Sequence, residues 1–245
     1  MCTIVFAYGV FDGFAVASNR DESYGREYAL PGCRERTDGW VFAPRDERAG
    51  GTWIGFNANG VFVTLSNLPG EGGGKRGGTR SRGALVDELL RALSVEEARR
   101  VLRNSYDRHE YEGFNVVVAS PDDCFVGVND GSLRFVEPDP GIGVVTNSPF
   151  DEPDDKALRV SEAVPEPHPN IDPVDWLDEM RPLLADHELG VCVHGDGRGT
   201  TSSNLVYSAP EPDGSYWLFA DGAPCETSYG RVFPTHRGKS FNLSR

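Results

Sequence analysis

The feature that most constrains this chain is a series of short β-rich segments, each closed by a turn signal. Pairs such as Asp12-Gly13 and Asp130-Gly131 separate apolar runs, which is typical of hairpins. We therefore expect largely antiparallel sheets. Apolar and β-branched content predicts strands at 3–7, 14–19, 51–57, 60–66, 113–119, 123–128, 132–136, 142–146, 203–208 and 215–220.

Helical periodicity interrupts the strands in two regions of the chain. The pattern predicts helices at 82–92, 95–103 and 173–185, with a shorter one at 153–163. Hairpins interrupted by helices predict an α+β layered fold. Because no repeat or linker divides the sequence, we expect one domain over 1–245.

The charge balance is strongly acidic, with 24 Lys and Arg against 38 Asp and Glu and a net charge of −14. Such a surface repels nucleic acid and anionic membranes, so neither is expected as a partner. Two explanations stay open: a solvated acidic face, or adaptation to a salt-rich (halophilic) cytosol. The sequence also contains no apolar run long enough to span a bilayer and no basic leader, which predicts a cytoplasmic protein.

The five cysteines and five histidines show no metal-ligand spacing. Scattered cysteines without a C-x-x-C pair argue against a disulfide framework and a zinc knuckle, so no metal is predicted. Cys124 and Cys192 stand among apolar residues and are expected in the core. His194 has two interpretations, a structural or surface residue and an axial contact to haem.

Cys2 differs because of its position at the start of the chain. Removal of Met1 before a small residue would leave Cys2 with a thiol and a free α-amine, whose pKa is about 7.7–8.0. Such an amine can act as the base for its own nucleophile. The alternative is that Cys2 is an arbitrary early residue.

A predicted hairpin brings a charged run back beside Cys2. The strands at 3–7 and 14–19 pair through Asp12-Gly13, which places Arg20 and Asp21 near the N-terminus. Arg20 could hold a thiolate or a substrate carboxylate, and Asp21 could orient the α-amine. A solvated turn is the alternative explanation for this run.

Several motifs in order along the first 148 residues give the chain its likeness to a known family. It resembles the NRDE family, which includes the eukaryotic transport-and-Golgi-organisation proteins. The matching blocks are Met1-Cys2-Thr3-Ile4, Ser18-Asn19-Arg20-Asp21-Glu22, Gly50-Gly51-Thr52-Trp53-Ile54-Gly55, Leu65-Ser66-Asn67, Gly113-Phe114-Asn115 and Thr146-Asn147-Ser148, with a weaker echo at Gly199-Thr200-Thr201-Ser202-Ser203-Asn204.

That family is in turn similar to the N-terminal-nucleophile hydrolases, in particular the choloylglycine hydrolase and penicillin V acylase branch. The resemblance implies an αββα sandwich with Cys2, the nucleophile, at the open edge of a sheet. It implies that Arg20 steadies the thiolate or substrate and that Asp21 orients the α-amine. It also implies that Asn67 donates to the oxyanion and that Asn147 lines the site or binds the amine.

A Gly-rich segment, 69–82, follows Asn67 directly. It contains a G-x-G-x-x-G pattern, but no βαβ unit follows, so dinucleotide binding is not expected. It is either a surface loop or a lid. As a lid, its basic residues, including Lys75, Arg76 and Arg80, could hold a carboxylate, a phosphate or a haem propionate.

Two functions remain open at this stage. The first is a cysteine amidase or acyltransferase acting on a small amide or acyl thioester, with no cofactor. The second is a non-catalytic carrier of haem, acyl-CoA or lipid, with haem as cargo, as the resemblance implies. Trp53 is expected as a core or site-wall aromatic, and Arg198 is the nearest candidate for the family's late arginine.

Overall fold

The computed structural model of the chain describes residues 2–37, 39–69, 80–167 and 170–233. The helices are α1 (Arg82–Leu89), α2 (Val95–Arg108), α3 (Asp155–Ala163), α4 (Pro173–Glu179) and α5 (Arg181–Leu184). The strands are β1 (Thr3–Tyr8), β2 (Phe14–Ser23), β3 (Tyr28–Arg36), β4 (Gly39–Asp46), β5 (Ile54–Asn57), β6 (Phe62–Asn67), β7 (Phe114–Ala119), β8 (Cys124–Asn129), β9 (Leu133–Val136), β10 (Gly141–Val145), β11 (Arg198–Ser208), β12 (Tyr216–Ala220) and β13 (Gly230–Phe233).

The strands form two antiparallel sheets that pack face to face. The first sheet has the order β10-β1-β2-β11-β12-β13, and the second runs from β3 to β9 in sequence order. An aromatic-rich core fills the space between them, in which the ring of Phe56 lies 5.0 Å from that of Phe233 and 6.0 Å from that of Trp217. Strand alternation sends Phe6 into this core and its neighbour Val5 to the opposite face.

Helices cover the outer face of each sheet. Leu85 of α1 and Leu102 of α2 pack on the second sheet, while Val160 of α3 and Trp176 of α4 pack on the first. The result is four layers in the order helix, sheet, sheet, helix. This confirms the predicted α+β fold and the αββα sandwich that the family resemblance implied.

The register of three adjacent strands determines what surrounds the N-terminus. β1 pairs with β2 so that Thr3 lies opposite Asn19, and β2 pairs with β11 so that Asp21 lies opposite Thr200. A bulge at Thr201 then brings Ser202 opposite Arg20. The predicted return of the charged run beside Cys2 is therefore confirmed, although Arg20 and Asp21 lie within β2 rather than after its end.

The structure corrects several predicted elements. β3 was missed because Pro31 and Gly32 interrupt it; as an edge strand with a bulge it tolerates both. β4 and β13 were also missed, and β11 begins five residues earlier than predicted. The helix predicted over 173–185 divides at Met180, just before Pro182, which lacks the N–H that a continuous helix needs.

Within the described residues, none of the helices has the length and apolar character needed to cross a bilayer.

The aromatic core between the sheets should dominate stability. Replacing fully buried Phe56 with Ala leaves a cavity among four aromatic rings, so we expect a loss of about 3–5 kcal/mol in the free energy of unfolding. Half-exposed Leu158 on α3 is the matched control, and Leu158→Ala should change the free energy of unfolding by less than about 0.5 kcal/mol. Equal losses in urea denaturation would contradict this packing.

Candidate active site

A polar cavity of about 420 Å³ opens at the edge where the two sheets meet. The residue before β1 lines it, together with residues from β2, β4, β6, the loop before β5 and the start of α1. Of the residues singled out in the sequence, six lie on its wall: Cys2, Arg20, Asp21, Trp53, Asn67 and Arg80.

Cys2 lies directly before β1, and its side chain faces this cavity. Burial raises the pKa of the Cys2 thiol, and the negative charge of Asp21 adds to that effect. A hydrogen bond from the Asp21 backbone and the charge of Arg20 act in the opposite direction without outweighing it. The thiol is therefore protonated at neutral pH, and a nucleophilic role would require a nearby base.

Asp21 is held by a hydrogen bond from across the sheet. Thr200 on β11 donates its hydroxyl to Asp21 Oδ1 at 2.6 Å. Burial raises the pKa of the Asp21 carboxyl, while this hydrogen bond and the charges of Lys156 and Arg198 oppose the rise. The ammonium of Lys156, on α3, is buried and has no hydrogen-bond partner among the residues that the structure describes, and burial lowers its pKa. Burial outweighs these interactions, so the pKa of the Asp21 carboxyl lies above its usual range.

The guanidinium of Arg20 is held by two aromatic rings and a hydrogen bond. Its guanidinium is only 6% exposed and lies over the ring of Trp53 at 4.3 Å and that of Tyr28 at 5.3 Å. It also donates to Thr201 Oγ1 at 3.0 Å, which is the residue that the β-bulge adds to β11. The bulge therefore serves to place a hydrogen-bond acceptor under this arginine.

Two carboxylates, those of Asp46 and Glu22, each lie close to both Arg20 and a second arginine, Arg26. Asp46 Oδ2 lies 3.6 Å from Arg20 Nη2 and accepts a hydrogen bond from Arg26 Nε at 2.6 Å. Glu22 Oε2 lies 3.9 Å from Arg20 and 3.8 Å from Arg26. The cavity wall therefore carries a compact ion-pair network next to Cys2, and a ligand carboxylate would compete with Asp46 and Glu22 for Arg20.

Asn67 and Asn147 are brought together, but in different roles. The last residue of β6, Asn67, lines the cavity, and its backbone carbonyl accepts a hydrogen bond from Asn147 Nδ2 at 2.5 Å. The adjacent Ser66 hydroxyl donates to the carbonyl of Thr146 at 2.6 Å. These bonds join the two sheets at the site. The Asn147 amide is thereby occupied in positioning Asn67.

The N-terminal end of α1 supplies two arginines to the cavity wall. Arg80 pairs with Glu88 at 2.8 Å and donates to Ser105, while Arg82 pairs with Glu112 at 2.9 Å. Burial lowers the pKa of Arg82, and the proximity of Glu112 and Cys2 opposes that change. Arg82, the last basic residue of the Gly-rich segment 69–82, thus lies on the wall of the cavity together with Arg80.

Three other predicted ligand-binding residues are not placed on this wall. Lys75 and Arg76 lie outside the described residues, as does most of the Gly-rich segment. Arg198 is exposed at the start of β11, opposite Ser23, and its charge acts on Asp21.

Gly51 permits a close approach that shapes the cavity. A Cβ at this position would lie 2.2 Å from the carbonyl carbon of Gly83, so only glycine fits. The next residue, Thr52, donates its backbone N–H to Gly83 at 3.1 Å. The Gly-Gly-Thr-Trp block therefore fastens the start of α1 against the loop that carries Trp53.

Two other motif residues are structural. Asn19, buried in β2, donates to the carbonyls of Leu184 and Val191 and ties the first sheet to the segment after α5. Asn115 donates to the carbonyl of Ser148 at 2.8 Å. The site residues that the sequence did not indicate reach the cavity through contacts between distant parts of the chain. Thr200 and Thr201 had a partial sequence signal, because both lie in the Gly199–Asn204 block.

The ion pair at Asp46 should make the stability of the fold depend on pH in the acidic range. Burial acts to raise the pKa of Asp46, but hydrogen bonds from Arg26 and Ala49 hold it below its usual range. Stability from this group is therefore present above the unfolded pKa of about 3.9 and is lost as pH falls through the lower folded value. We expect Asp46→Asn to cost about 1–3 kcal/mol at about pH 7, and this cost should shrink as the pH falls through the lowered pKa of Asp46.

Urea denaturation across this pH range measures the effect. Exposed Asp107 on α2 is the matched control, and Asp107→Asn should show no such dependence. A deficit in Asp46→Asn that persisted undiminished in acid would contradict the ion-pair assignment.

Solved structures with the same fold include amide-cleaving enzymes by name. Penicillin V acylase from Agrobacterium tumefaciens is similar with a TM-score of 0.58 at 16% identity, over 90% of this chain and 83% of that one. The Caenorhabditis elegans N-acylethanolamine-hydrolyzing acid amidase ortholog has a TM-score of 0.59 at 13% identity, over 87% and 94%. A cysteine-to-alanine mutant of conjugated bile acid hydrolase from Clostridium perfringens has a TM-score of 0.52 at 13% identity, over 95% and 92%.

At these identities the structures establish the N-terminal-nucleophile hydrolase fold alone. No curated protein sequence matches the chain. The family comparison is more specific, since the sequence model for Transport and Golgi organisation 2 matches residues 1–188 of the 245. That match contains Cys2 and the strands β2 and β6, which carry Arg20, Asp21 and Asn67. It also contains β10, which leads to Asn147. The chain therefore belongs to the Transport and Golgi organisation 2 family.

Proposed function

We propose that this protein is an N-terminal-nucleophile cysteine hydrolase or acyltransferase that acts on a small amide or acyl thioester. One observation carries the proposal: Cys2 faces a cavity in which Arg20, Asp21 and Asn67 are each held by buried hydrogen bonds or by the sheet register. A thiol next to a rigid polar wall is the arrangement that acyl transfer needs.

The proton of the thiol can pass to the α-amine of the same residue once Met1 is removed. The raised pKa of Cys2 means that the sulfur attacks as it loses its proton, and the new α-amine of the same residue can accept it. The sulfur then bonds to the substrate carbonyl carbon, and the ammonium returns the proton to the leaving amine or thiol. Water or a second acceptor releases the acyl group in the same way.

The neighbouring residues have distinct tasks in this reaction. Asp21, fixed by Thr200, holds the α-amine through a charge-assisted hydrogen bond. The side-chain amide of Asn67 donates to the developing oxyanion, and Asn147 positions it through the Asn67 carbonyl. Arg20 supplies fixed positive charge near the sulfur without itself moving.

The wall of the cavity favours a polar substrate. Four arginines and four carboxylates line the described part, whereas the large apolar side chains are those of Leu65 and Trp53. Each arginine is already paired with a carboxylate. A neutral amide or thioester can bind without separating these pairs, while a dianionic cargo would have to break them.

The names of structural neighbours agree with this reaction class. They are called a penicillin V acylase, a conjugated bile acid hydrolase and an N-acylethanolamine-hydrolyzing acid amidase. The bile acid hydrolase was solved as a variant with a cysteine replaced by alanine. This agrees with the proposal that Cys2 carries the reaction in the present protein.

The proposal predicts that turnover needs both groups of Cys2. Full-length protein released from a cleavable fusion so that it begins at Cys2 should cleave members of a panel of N-acyl amides and acyl thioesters. The same chain with one extra glycine before Cys2 should lose at least about 100-fold in kcat/KM, because its α-amine is displaced.

Two variants complete that experiment. Cys2→Ala should abolish turnover, and Cys33→Ala, which removes an exposed thiol outside the cavity, should leave it unchanged. Full turnover in Cys2→Ala, or no effect of the extra glycine, would contradict the mechanism.

A non-catalytic carrier of haem, acyl-CoA or lipid is the second candidate. It is favoured by the shared position of a thiol and several arginines in one cavity, since a thiolate can ligate haem iron and an arginine can bind a propionate or phosphate. Titration with haem and with long-chain acyl-CoA tests it: a carrier should saturate at micromolar ligand, and the haem spectrum should change in Cys2→Ala. Absence of saturable binding for both ligands would remove this candidate.

A further inference from the structure

Four side chains with metal-ligating atoms meet on the far side of β11 from the cavity. His187, Cys192 and His194 come from the segment between α5 and β11, and Cys225 comes from the turn after β12. One ligand-capable atom from each lies within 4.8 Å of the other three. Spacing along the chain gave no sign of this cluster, because the fourth residue comes from a distant turn.

The distances among three of these atoms suit a tetrahedral metal ion. The two sulfurs lie 3.5 Å apart, and His194 Nε2 lies 3.1 Å from Cys225 Sγ and 3.9 Å from Cys192 Sγ. Metal–ligand bonds of about 2.0–2.3 Å around Zn²⁺ separate the vertices of a tetrahedron by about 3.3–3.8 Å. These three separations bracket that range, and the ligand atom of His187 lies within 4.8 Å of the other three, so it would move inward by up to about 1 Å on binding.

The orientation of His187 is set by a hydrogen bond of the kind that supports metal ligands. Its Nδ1 lies 3.0 Å from the backbone carbonyl of Cys192. Because a carbonyl only accepts, Nδ1 carries the proton and the lone pair resides on Nε2. Such a bond to the second nitrogen is the usual way in which a protein fixes the tautomer of a ligating histidine.

The backbone around the cluster is also arranged in advance. Asp186 accepts hydrogen bonds at its carbonyl from the N–H groups of both Val191 and Cys192, which closes a tight turn. Gly190 permits this turn with a φ of +67°. The turn brings His187 back beside Cys192, five positions later in the sequence.

We propose that His187, Cys192, His194 and Cys225 bind one Zn²⁺ ion as a closed, structural site. Two thiolates and two neutral imidazoles complete the coordination, so no position is left open for a substrate. The ion would fasten the segment before β11 to the turn after β12.

This site would also support the cavity, through two hydrogen bonds. Val193, between two of the ligands, accepts from the Thr200 backbone N–H at 2.8 Å and donates to Thr200 Oγ1 at 2.9 Å. That same hydroxyl donates to Asp21. The metal would thus hold in place the residue that fixes Asp21, but the proposal does not depend on any activity of Cys2.

Cobalt substitution tests the proposal on the full-length protein. Protein purified in reductant and stripped with a chelator should bind one equivalent of Co²⁺ per chain. Its spectrum should contain a thiolate-to-cobalt charge-transfer band and the intense visible bands of a tetrahedral site, and Zn²⁺ should displace both. The charge-transfer band reports cysteine ligation directly, so the wild-type titration is informative even if a variant fails to fold.

Variants then assign the ligands. Cys225→Ser, at an exposed position, should weaken the charge-transfer band and metal affinity by at least about tenfold, and His187→Gln should reduce affinity. Cys33→Ser and Cys2→Ser, outside the cluster, should bind as the wild type does. A wild-type chain without the charge-transfer band, or a Cys225→Ser chain that keeps it unchanged, would overturn the proposal.

Discussion

The antiparallel register of β1, β2 and β11 is the constraint on which the rest of the site depends. It fixes Thr3 opposite Asn19 and Asp21 opposite Thr200. Cys2, directly before β1, therefore has Arg20 and Asp21 as its charged neighbours. A slip of one residue would send the central-core side chains of β1 to the helix-covered face. The hydrophobic core and the site are therefore specified by the same alternation, and neither can shift without the other.

Burial and ion pairing together give the cavity its character. Arg20 is removed from water yet keeps its charge, because Asp46, the Thr201 hydroxyl and two aromatic faces replace its hydration. Burial has the opposite consequence for Cys2, whose thiol stays protonated. A rigid polar wall beside a neutral thiol is suited to a nucleophile that is deprotonated only as it attacks, which is why the α-amine is central to the proposed chemistry.

Local patterns predicted much of the fold, and long-range contacts account for what they missed. The β1–β2 hairpin and the placement of Asp21 near Cys2 followed from alternation and a turn signal. β3 was hidden by Pro31 and Gly32, which only its edge position makes acceptable. The bulge at Thr201 depends on pairing between strands that are far apart in sequence, and such pairing leaves no periodic trace. The approach of Cys225 to His194 is of the same kind.

The proposed chemistry requires Cys2 to become the first residue and to expose its thiol and α-amine together in the cavity. The intact mass of the natively expressed chain, before and after treatment with 2-cyanobenzothiazole, tests this requirement, because the reagent condenses with a terminal cysteine that has both groups free. We expect a mass lower than that of the full 245-residue chain by one methionine, and a single adduct that maps to residue 2 and is absent in Cys2→Ala. A retained Met1, or a processed chain whose terminal cysteine forms no adduct, would rule out the α-amine as the base for Cys2.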